Sequence, residues 1–397
     1  MLKLAVKNLY KIYGSKPQRS LELVRQGVSK EELLKKTGNG IGVCNVNFEV
    51  EEGSIFVIMG LSGSGKSTLI RCLNRLIEPT SGSVFIDGHD ICSYDEKQLL
   101  SIRRNKIAMV FQHFALLPHK TIEENVAFGL EIQNTSVEYR HQKACDALAL
   151  VGLKGYENAY PNELSGGMQQ RVGLARALAI DADILLMDEA FSALDPLIRS
   201  EMQDELMSIQ DSMKKTIIFI THDLDEALKI GDQIAIMKDG AIIQTGSPEE
   251  ILEHPADEYV RSFIKDVDRS KILTASSVMK KPDAIITQKG GLHLAVRKMR
   301  ESKMSSIFVI NKDKTLQGLL TIDSALEALK KGETDVTKYL LYDIEKAVPD
   351  TSLNELLPSA VRSKYPIAIV DKEERLLGIV ARVAVLSGLS GEEVPNV

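Results

Sequence analysis

The sequence has no tryptophan, few other aromatic residues and no long apolar run. Of its 397 residues, 5% are aromatic and 44% are apolar. The longest apolar runs are strand-sized, such as Ile55–Met59, Ile184–Met187 and Ile217–Ile220, whereas a membrane-spanning helix needs about 20 apolar residues. The N-terminus lacks the apolar run and the cleavage site of a signal peptide. We therefore expect a soluble cytoplasmic chain rather than a channel, with two or three domains.

Cysteine and histidine are also scarce. The four cysteines form no Cys-x-x-Cys pair, and the seven histidines form no His-x-x-x-His pair. This scatter argues against a zinc site and against a disulfide framework.

The charge is distributed unevenly along the chain, whose net charge is −6. From residue 271 onward the sequence contains 19 Lys and Arg and 16 Asp and Glu, whereas the first 270 residues contain 30 Lys and Arg and 39 Asp and Glu. The change of sign indicates a boundary near residue 270 and different partners for the two sides. Because the N-terminal part is net acidic, no nucleic-acid groove is expected.

The first 270 residues have the pattern of an α/β domain. Leu2–Leu9 alternates as a strand does, and from Val43 to about residue 265 strand-like runs alternate with helical patterns, which favours a mostly parallel sheet. Residues 15–40 interrupt this order. There Ser29–Glu32 has the spacing of a capping box and Gly38 supplies a helix stop, so we predict one or two short helices in a surface insertion rather than a catalytic element. Lys238–Ala241 predicts a hairpin.

A repeat follows residue 270. Ile307–Leu320 aligns with Ile367–Val380, 60 positions later, and each copy reads as a strand, a charged turn, a second strand and a helical run. A chance likeness of two hairpins is the alternative, but the agreement includes a glycine on a glycine. We therefore predict a duplicated unit that packs as a pseudo-symmetric pair.

The most specific motif is a phosphate-binding loop, Gly60–Ser67, after a strand and before a helix. Its glycines let backbone N–H groups point at phosphate oxygens, Lys66 would neutralise β/γ-phosphate charge, and Ser67 would hold Mg²⁺. Leu69, Ile70, Leu73 and Leu76 predict the buried face of the following helix. The predicted ligand-binding residues of this loop are Gly60, Ser62, Gly63, Ser64, Gly65, Lys66, Ser67 and Thr68.

Two further motifs point to phosphate chemistry. After the strand Ile184–Met187, Asp188 suits the Mg²⁺ shell, and Glu189 is placed to orient or deprotonate a water. Leu164–Arg171 opens a helix, and its N-terminus predicts an anion site. The predicted ligand-binding residues there are Ser165, Gly166, Gly167 and Gln169.

With Leu164–Arg171 as its signature motif, the sequence resembles the ATP-binding subunits of ABC transporters. The resemblance implies that Gln112 is the Q-loop glutamine, which senses Mg²⁺ and touches the membrane partner. It implies that Ser192–Asp195 is the D-loop, which adds Asp195 to the nucleotide site, and that His222 is the switch histidine at the γ-phosphate. Tyr13 is the candidate for stacking on adenine.

The likeness is closest to the ATPases of bacterial glycine betaine/proline betaine importers. It rests on the 15–40 insertion and on the segments Arg75–Thr80, Phe114–His119 and Asp188–Arg199. The implied fold is an α/β P-loop ABC-type ATPase domain over residues 1–270, followed by a tandem pair of cystathionine-β-synthase (CBS) modules over 271–335 and 336–397. In this family ATP lies between two cassettes, so a homodimer with Mg²⁺ and ATP is implied.

The resemblance also implies a membrane permease, fused to or paired with a substrate-binding domain, and a place at the cytoplasmic face of the plasma membrane. It implies that the CBS pair senses ionic strength or cyclic di-AMP. The family's ribose-binding pattern is incomplete here, because Gly318 is followed by Thr321 and Ser324, and Gly378 by Ala381 and Ala384. A group of basic residues could meet an anionic membrane surface or a cyclic dinucleotide, or could form a solvated face without a partner: Lys280, Lys281, Arg297, Lys298, Arg300, Lys303, Lys330 and Lys331.

Three other functions stay open at this point. One is a choline, carnitine or other solute importer, which the sequence does not separate from a betaine importer. A second is a non-transport ABC protein of DNA repair or translation, although neither a coiled-coil insertion nor a second cassette is visible. The third is a nucleotide-sensing scaffold without catalysis, which Lys66, Asp188, Glu189 and His222 argue against.

Overall fold

The computed structural model describes residues 1–112, 114–265, 267–282 and 284–390. The chain divides into a first unit, Met1–Lys265, and a second unit, Asp266–Val397. Within the described residues, no helix combines the length and the apolar character needed to cross a membrane. His113, the last residue of the segment in which Gln112 was predicted to act, lies outside the described residues, as do residues 391–397 of the second repeat.

The first unit contains two sheets and helices around them. Its strands are β1 (Leu2–Tyr13), β2 (Gly40–Glu51), β3 (Ile55–Met59), β4 (Ser81–Ile86), β5 (His89–Asp90), β6 (Ile107–Val110), β7 (Ile184–Asp188), β8 (Thr216–Thr221), β9 (Gln233–Lys238) and β10 (Ala241–Gly246). Its helices are α1 (Pro17–Arg25), α2 (Lys30–Thr37), α3 (Lys66–Leu73), α4 (Glu96–Asn105), α5 (Ile122–Ile132), α6 (Val137–Leu150), α7 (Gly166–Ala179), α8 (Pro196–Met213), α9 (Leu224–Ile230), α10 (Pro248–Glu253) and α11 (Glu258–Ile264).

A six-stranded sheet in the order β10-β9-β3-β8-β7-β6 carries the predicted phosphate chemistry. Strands β3, β6, β7, β8 and β9 run parallel to their neighbours, and β10 closes the sheet as an antiparallel edge. The central strands β3, β7 and β8 are buried along their whole length, which explains their continuous apolar sequence. The prediction of a mostly parallel α/β sheet is confirmed.

A second sheet, β2-β1-β4-β5, is antiparallel and packs on the same core. One cluster of buried side chains joins the two sheets through residues such as Leu4, Phe48, Phe56, Leu69 and Ile218. The rings of Phe48 and Phe56 stack with their centroids 4.8 Å apart. Because this core reaches under α3, the phosphate loop before α3 stands on a rigid base.

The local predictions in this unit are mostly confirmed. Lys238 and Ala241 pair across a two-residue turn in which Asp239 and Gly240 have positive φ, as a type I′ hairpin requires. The predicted insertion forms α1 and α2, and Gly38 ends α2 in the left-handed region. The prediction for Leu76 is wrong: α3 ends at Leu73, and Leu76 lies beyond the helix with 54% of its surface exposed.

The second unit contains two small three-stranded sheets of the same design. Its strands are β11 (Ile285–Thr287), β12 (Ser306–Ile310), β13 (Leu316–Thr321), β14 (Lys346–Ala347), β15 (Ile367–Val370) and β16 (Leu376–Val380). Its helices are α12 (Ala275–Val278), α13 (Gly291–Glu301), α14 (Ile322–Lys330), α15 (Leu353–Arg362) and α16 (Arg382–Ser390).

The two sheets of this unit repeat each other in order and direction. In each, a short strand runs parallel to the middle strand, which pairs with an antiparallel third strand. Backbone bonds cross between the copies: Leu319 exchanges them with Leu341 and Ile379 with Lys280, at 2.8–3.0 Å. Apolar side chains of both copies, including Phe308 and Ala368, share one cluster. The predicted duplication and pseudo-symmetric packing agree with this arrangement.

Candidate active site

The phosphate loop lies between β3 and α3 and is shaped by its glycines. Gly60, Gly63 and Gly65 all have positive φ. A Cβ atom on Gly60 would collide with the carbonyl oxygen of Met237, and one on Gly65 with that of Gly42. Only glycine fits at these two positions, for reasons of both conformation and space.

Lys66 opens α3 and is almost fully buried, with 4% of its surface exposed. Its Nζ donates to the carbonyl oxygens of Gly60, at 2.8 Å, and Leu61, at 3.2 Å, and lies 3.8 Å from Glu189 Oε1. Burial lowers the pKa of the Lys66 ammonium, while the Glu189 and Asp188 carboxylates oppose that effect. The ammonium is thus a buried cation at the loop that would receive phosphate oxygens.

An open cavity of about 490 Å³ lies over this loop, a size suited to a small ligand. Polar groups and backbone of the loop form one wall, and the chain at the start of β2 forms another. The lining residues are Tyr13, Gly40, Ile41, Gly42, Ser62, Gly63, Gly65, Lys66, Ser67, Thr68, Gln112 and Glu189.

Ser67 and Asp188, 121 positions apart, meet beside the cavity. Ser67 Oγ donates to Asp188 Oδ1 at 2.9 Å, and Arg71 Nη2 lies 3.4 Å from Asp188 Oδ2. They meet because α3 packs on β7, the strand that Asp188 ends. A hydroxyl and a buried carboxylate provide the oxygen ligands that Mg²⁺ prefers when nucleotide phosphates complete its shell. The residues therefore fit Mg²⁺.

The Glu189 carboxylate lies close to two other residues predicted to be catalytic, Gln112 and His222. Glu189 has φ of 45° at the end of β7, and its Oε2 lies 3.4 Å from His222 Nδ1 and 3.5 Å from Gln112 Nε2. Gln112 Nε2 also donates to Ser192 Oγ at 3.3 Å. The parallel order β8-β7-β6 places the residues that follow these three strands at one edge. Gln112 thus contacts Glu189 rather than the Ser67–Asp188 pair.

The helix N-terminus that Leu164–Arg171 predicts as an anion site is present and capped, but its residues do not line this cavity. Ser165 caps α7 by accepting from Met168 N–H at 3.3 Å, and Gln169 Nε2 donates to Leu164 O at 3.1 Å. Gly166 and Gly167 begin the helix. Asp195 is likewise a helix cap, accepting from Ile198 N–H at 3.1 Å. None of these residues lines the cavity described above.

Tyr13 stands at the rim of the cavity. Its hydroxyl forms a hydrogen bond of 3.2 Å with Thr68 Oγ1, and 43% of the residue is exposed. A Cβ on Gly42 would meet the Tyr13 ring at 2.7 Å and Thr68 Cγ2 at 3.0 Å. The 15–40 insertion therefore does not move Tyr13 away from the loop.

Sequence reasoning missed two parts of this site. It did not place Gly40–Gly42 in the cavity wall, although two glycines that flank one apolar residue at the end of an insertion could have suggested a close backbone approach. It also did not find Arg71, whose position one helical turn after Ser67 puts it on the same face of α3.

Comparison with known proteins identifies the family and the fold. The model of the ABC transporter family matches residues 43–192, and that of the CBS domain matches residues 275–331. The dimeric, post-hydrolysis ATP-binding cassette MJ0796, bound to ADP and phosphate, has a similar fold, with a TM-score of 0.53 and 34% identity. That match covers 62% of this chain and 98% of the cassette.

Relatives match over nearly the full length. The glycine betaine/carnitine transport ATP-binding protein of Listeria monocytogenes is 54% identical over 99% of both chains. The glycine betaine transport ATP-binding protein of Bacillus subtilis is 52% identical over 98% of this chain and 93% of its own. The glycine betaine/proline betaine transport ATP-binding protein of Escherichia coli is 49% identical over 100% of this chain and 99% of its own.

The predicted fold, family and ATPase class are therefore confirmed, and membership of this family implies ATP binding with Mg²⁺ and ATP hydrolysis coupled to import. This chain belongs to the ATP-binding proteins of glycine betaine/proline betaine ABC transporters, in which an ABC ATPase is followed by a CBS domain.

Proposed function

We propose that two copies of this chain hydrolyse ATP at two composite sites and thereby drive uptake of glycine betaine or a related quaternary-ammonium osmoprotectant. The ATPase would act at the cytoplasmic face of the plasma membrane, on a separate permease that is fused to or paired with a substrate-binding domain. The observation that carries this proposal is the convergence of Lys66, Ser67 and Glu189 on one cavity, with Asp188 bonded to Ser67 beside it.

The residues of this cavity divide the chemistry among them. Lys66 and the loop N–H groups bind the β- and γ-phosphates, and the Tyr13 ring stacks on adenine. Ser67 and Asp188 would hold Mg²⁺, which would neutralise phosphate charge there. Glu189 orients and deprotonates the attacking water.

Two further residues respond to the γ-phosphate. His222 would hold it, and Gln112 would sense the metal ion and touch the permease. Both side chains already lie within 3.5 Å of Glu189. A change in the bound nucleotide that moves one of these three side chains would therefore also alter its contacts with the others.

The composite site explains the separate location of the signature motif. Ser165–Gly167 present a capped helix N-terminus, the ordinary site for an anion, yet these residues do not line the cavity. In a head-to-tail dimer, Ser165, Gly166, Gly167, Gln169 and Asp195 of one copy would complete the cavity of the other. The dimeric cassette with 34% identity supports this arrangement.

The test of this arrangement uses Glu189→Gln, which keeps the size and hydrogen-bonding reach of the side chain but removes the base. We expect hydrolysis to fall at least about 100-fold, and a dimer to accumulate with ATP and Mg²⁺ in analytical ultracentrifugation. Two results together would contradict the composite site. One is a Glu189→Gln variant that stays monomeric at saturating ATP, and the other is an ATPase activity of the unchanged protein that is strictly linear in protein concentration. Lys66→Ala is the control, because a variant that does not bind ATP should not form the ATP-dependent dimer.

The transported solute is proposed from the names of the relatives. Glycine betaine occurs in the names of the proteins that are 49–54% identical over the full length. Trimethylamine N-oxide transport is named for a relative from Pelagibacter ubique that is 52% identical over 70% of this chain, and choline transport for one from Bacillus subtilis that is 37% identical. Uptake of labelled solutes by vesicles that contain the chain and its permease decides among them. ATP-driven uptake of another solute in preference to glycine betaine would contradict the proposal.

The second unit is proposed to gate this activity by ionic strength, by cyclic di-AMP, or by both. Of the eight basic residues predicted to meet an anionic partner, seven are exposed: Lys280, Lys281, Arg297, Arg300, Lys303, Lys330 and Lys331. Contacts of such side chains with anionic lipid weaken as salt rises, so low salt would restrain the transporter and high salt would release it. An unchanged salt response of uptake in anionic liposomes after deletion of residues 271–397 would contradict this role.

Cyclic di-AMP requires a separate test, because the second unit departs from the usual ribose-binding pattern. Thr321 is engaged within its own chain: its hydroxyl accepts from Ser324 N–H at 3.1 Å and donates to Ser324 Oγ at 2.9 Å. Titration calorimetry with cyclic di-AMP on the full chain would support a nucleotide site if heat of binding is observed. The absence of binding at millimolar dinucleotide would leave ionic strength as the signal.

A further inference from the structure

The insertion of residues 15–40 is a packed part of the first unit. Leu21 and Val24 of α1 and Leu33 of α2 are buried against β1 and β2, in a cluster completed by Tyr10, Ile12 and Ile41. The buried Asn39 side chain donates to Ser20 Oγ at 2.7 Å. This second core fixes both helices relative to the strands that lead into the cavity wall.

One side chain of the insertion reaches the phosphate loop. Lys30 is the first residue of α2, which Ser29 caps by accepting from Glu32 N–H at 3.3 Å. Lys30 Nζ donates to the carbonyl oxygen of Gly63 at 3.2 Å and lies 3.9 Å from Asp239 Oδ1. About a third of the Lys30 side chain remains exposed (36%), so the contact lies at the outer edge of the loop.

The same stretch of the loop is held on its outer side by a second partner. The carbonyl oxygen of Ser64 accepts from Gly240 N–H at 2.8 Å. The Gly63–Ser64 peptide is fixed at both ends, because its oxygen accepts from Lys30 and its N–H donates to Leu61 O at 3.1 Å. A peptide plane is rigid and its C=O and N–H point in opposite directions. Lys30 on one side and Leu61 on the other therefore fix the backbone of the loop at this peptide.

We propose that Lys30 is a positioning residue of the nucleotide site, through which the insertion sets the affinity for nucleotide phosphates. It holds the Gly63–Ser64 peptide, and with it the backbone of the phosphate loop, in place, and its ammonium adds positive charge beside the phosphates. The inference rests on the ATP-binding part of the proposed function and adds the insertion to it. Asp239, on the turn that also supplies Gly240, keeps the Lys30 ammonium at the loop.

The experiment measures MgATP binding to the full chain by titration calorimetry. We expect Lys30→Met to raise the Kd about 3- to 10-fold, because a charge-assisted hydrogen bond and a nearby cation are lost, and Lys30→Arg to stay within about twofold of the unchanged protein. Lys36→Met is the matched control, since Lys36 is an exposed lysine on the same helix. In steady-state hydrolysis, KM for ATP should rise with the Kd while kcat changes less than about twofold.

Thermal unfolding of each variant separates this role from a loss of folding. A Lys30→Met protein that keeps its Tm and binds MgATP more weakly supports the inference, and Lys30→Gln serves as the second variant if the Met variant unfolds. Unchanged binding in Lys30→Met, or an equal loss in Lys36→Met, would overturn it. If the unchanged protein does not bind MgATP, and Lys66→Ala behaves identically, the proposed nucleotide site itself fails.

Discussion

The two units use the polar residues that follow their strands in different ways. In the first unit, residues after β3, β7 and β8 contact each other across the sheet, as in the pairs Ser67–Asp188 and Glu189–His222. In the second unit, the polar residue between a strand and its helix caps that helix: Thr321 accepts from Ser324 N–H. Ser352, which precedes α15, likewise accepts from Glu355 N–H.

The difference teaches how a candidate site is recognised. A side chain that only caps its own helix stabilises local structure by about 1 kcal/mol, and the same residue types at similar strand ends need no ligand to explain them. Side chains that come together from distant positions around a buried lysine have no such local explanation. Convergence of this kind, rather than the presence of polar residues at strand ends, distinguishes the candidate active site.

We expect the greatest loss of activity when the buried lysine of the first unit is removed. Lys66→Ala should reduce ATP hydrolysis at least about 100-fold, because the buried cation that stabilises phosphate charge is lost. ATP turnover and MgATP binding by the full chain are the measurements. Arg261→Ala removes an exposed cation of the same unit and should leave turnover unchanged. Retention of more than a tenth of the activity in Lys66→Ala would contradict the assigned role.

A smaller effect is expected for stability at an ion cluster away from the cavity. Lys3 is buried (8% exposed), and its Nζ lies 2.7 Å from Asp87 and 2.9 Å from Asp183, which Lys106 also contacts. Lys3→Met should lower the free energy of unfolding of the first unit by about 1–3 kcal/mol, because two half-exposed carboxylates lose one of their cations. Chemical denaturation measures it, and Lys7→Met is the exposed control.

The pH dependence of that difference gives a second readout. Burial alone would raise the pKa of the Asp87 and Asp183 carboxyls, but the hydrogen bonds and charges of Lys3 and Lys106 lower it overall. Their contribution is therefore present above the unfolded pKa, about 3.9, and is lost as pH falls through the folded pKa. The difference in free energy of unfolding between the unchanged protein and Lys3→Met should therefore become smaller below about pH 4. A difference independent of pH would mean that Lys3 acts by packing alone.

Within the second unit, the duplicated glycines should respond differently to the same change. A Cβ on Gly318 would meet the backbone oxygen of Leu341 at 2.8 Å, whereas one on Gly378 would meet the flexible Met279 side chain at Sδ, also at 2.8 Å. Gly318→Ala should destabilise the second unit by about 1–3 kcal/mol, and Gly378→Ala by less. Thermal unfolding of the full chain compares them. Equal losses would show that the backbone contact adapts as easily as the side chain.

The smallest effect concerns the helix cap. Thr321→Ala should cost about 1 kcal/mol of stability through loss of its bond with Ser324, with ATP hydrolysis by the chain without permease unchanged. Calorimetric unfolding and ATP turnover on one preparation test both parts, and Thr321→Ser is the control that keeps the hydroxyl. Loss of turnover in Thr321→Ala would show that the repeats contribute to the cassette's chemistry beyond stability.

Much of the fold was predictable because its signals are local. Buried strands such as β3 and β7 appear as continuous apolar runs, the Asp239-Gly240 turn requires positive φ, and the repeat appears as a fixed offset of 60 residues. Leu76 shows the limit of periodicity: the apolar spacing continued, but Asn74 and Arg75 end the helix first. A pattern of period 3.6 does not record where a helix stops unless a cap residue marks it.

Four features were predictable from contiguous stretches of sequence: the phosphate loop, the acidic strand end, the capped helix that Leu164–Arg171 opens, and the duplication. The chemistry of each depends on residues that are neighbours along the chain. Only the packing of the chain brings Ser67 to 2.9 Å from Asp188, Gln112 into contact with Glu189, and Lys30 into contact with Gly63. These contacts depend on the strand order and on how the insertion packs against β1 and β2. Long-range packing of this kind is set by the whole core, and no local pattern of residues records it.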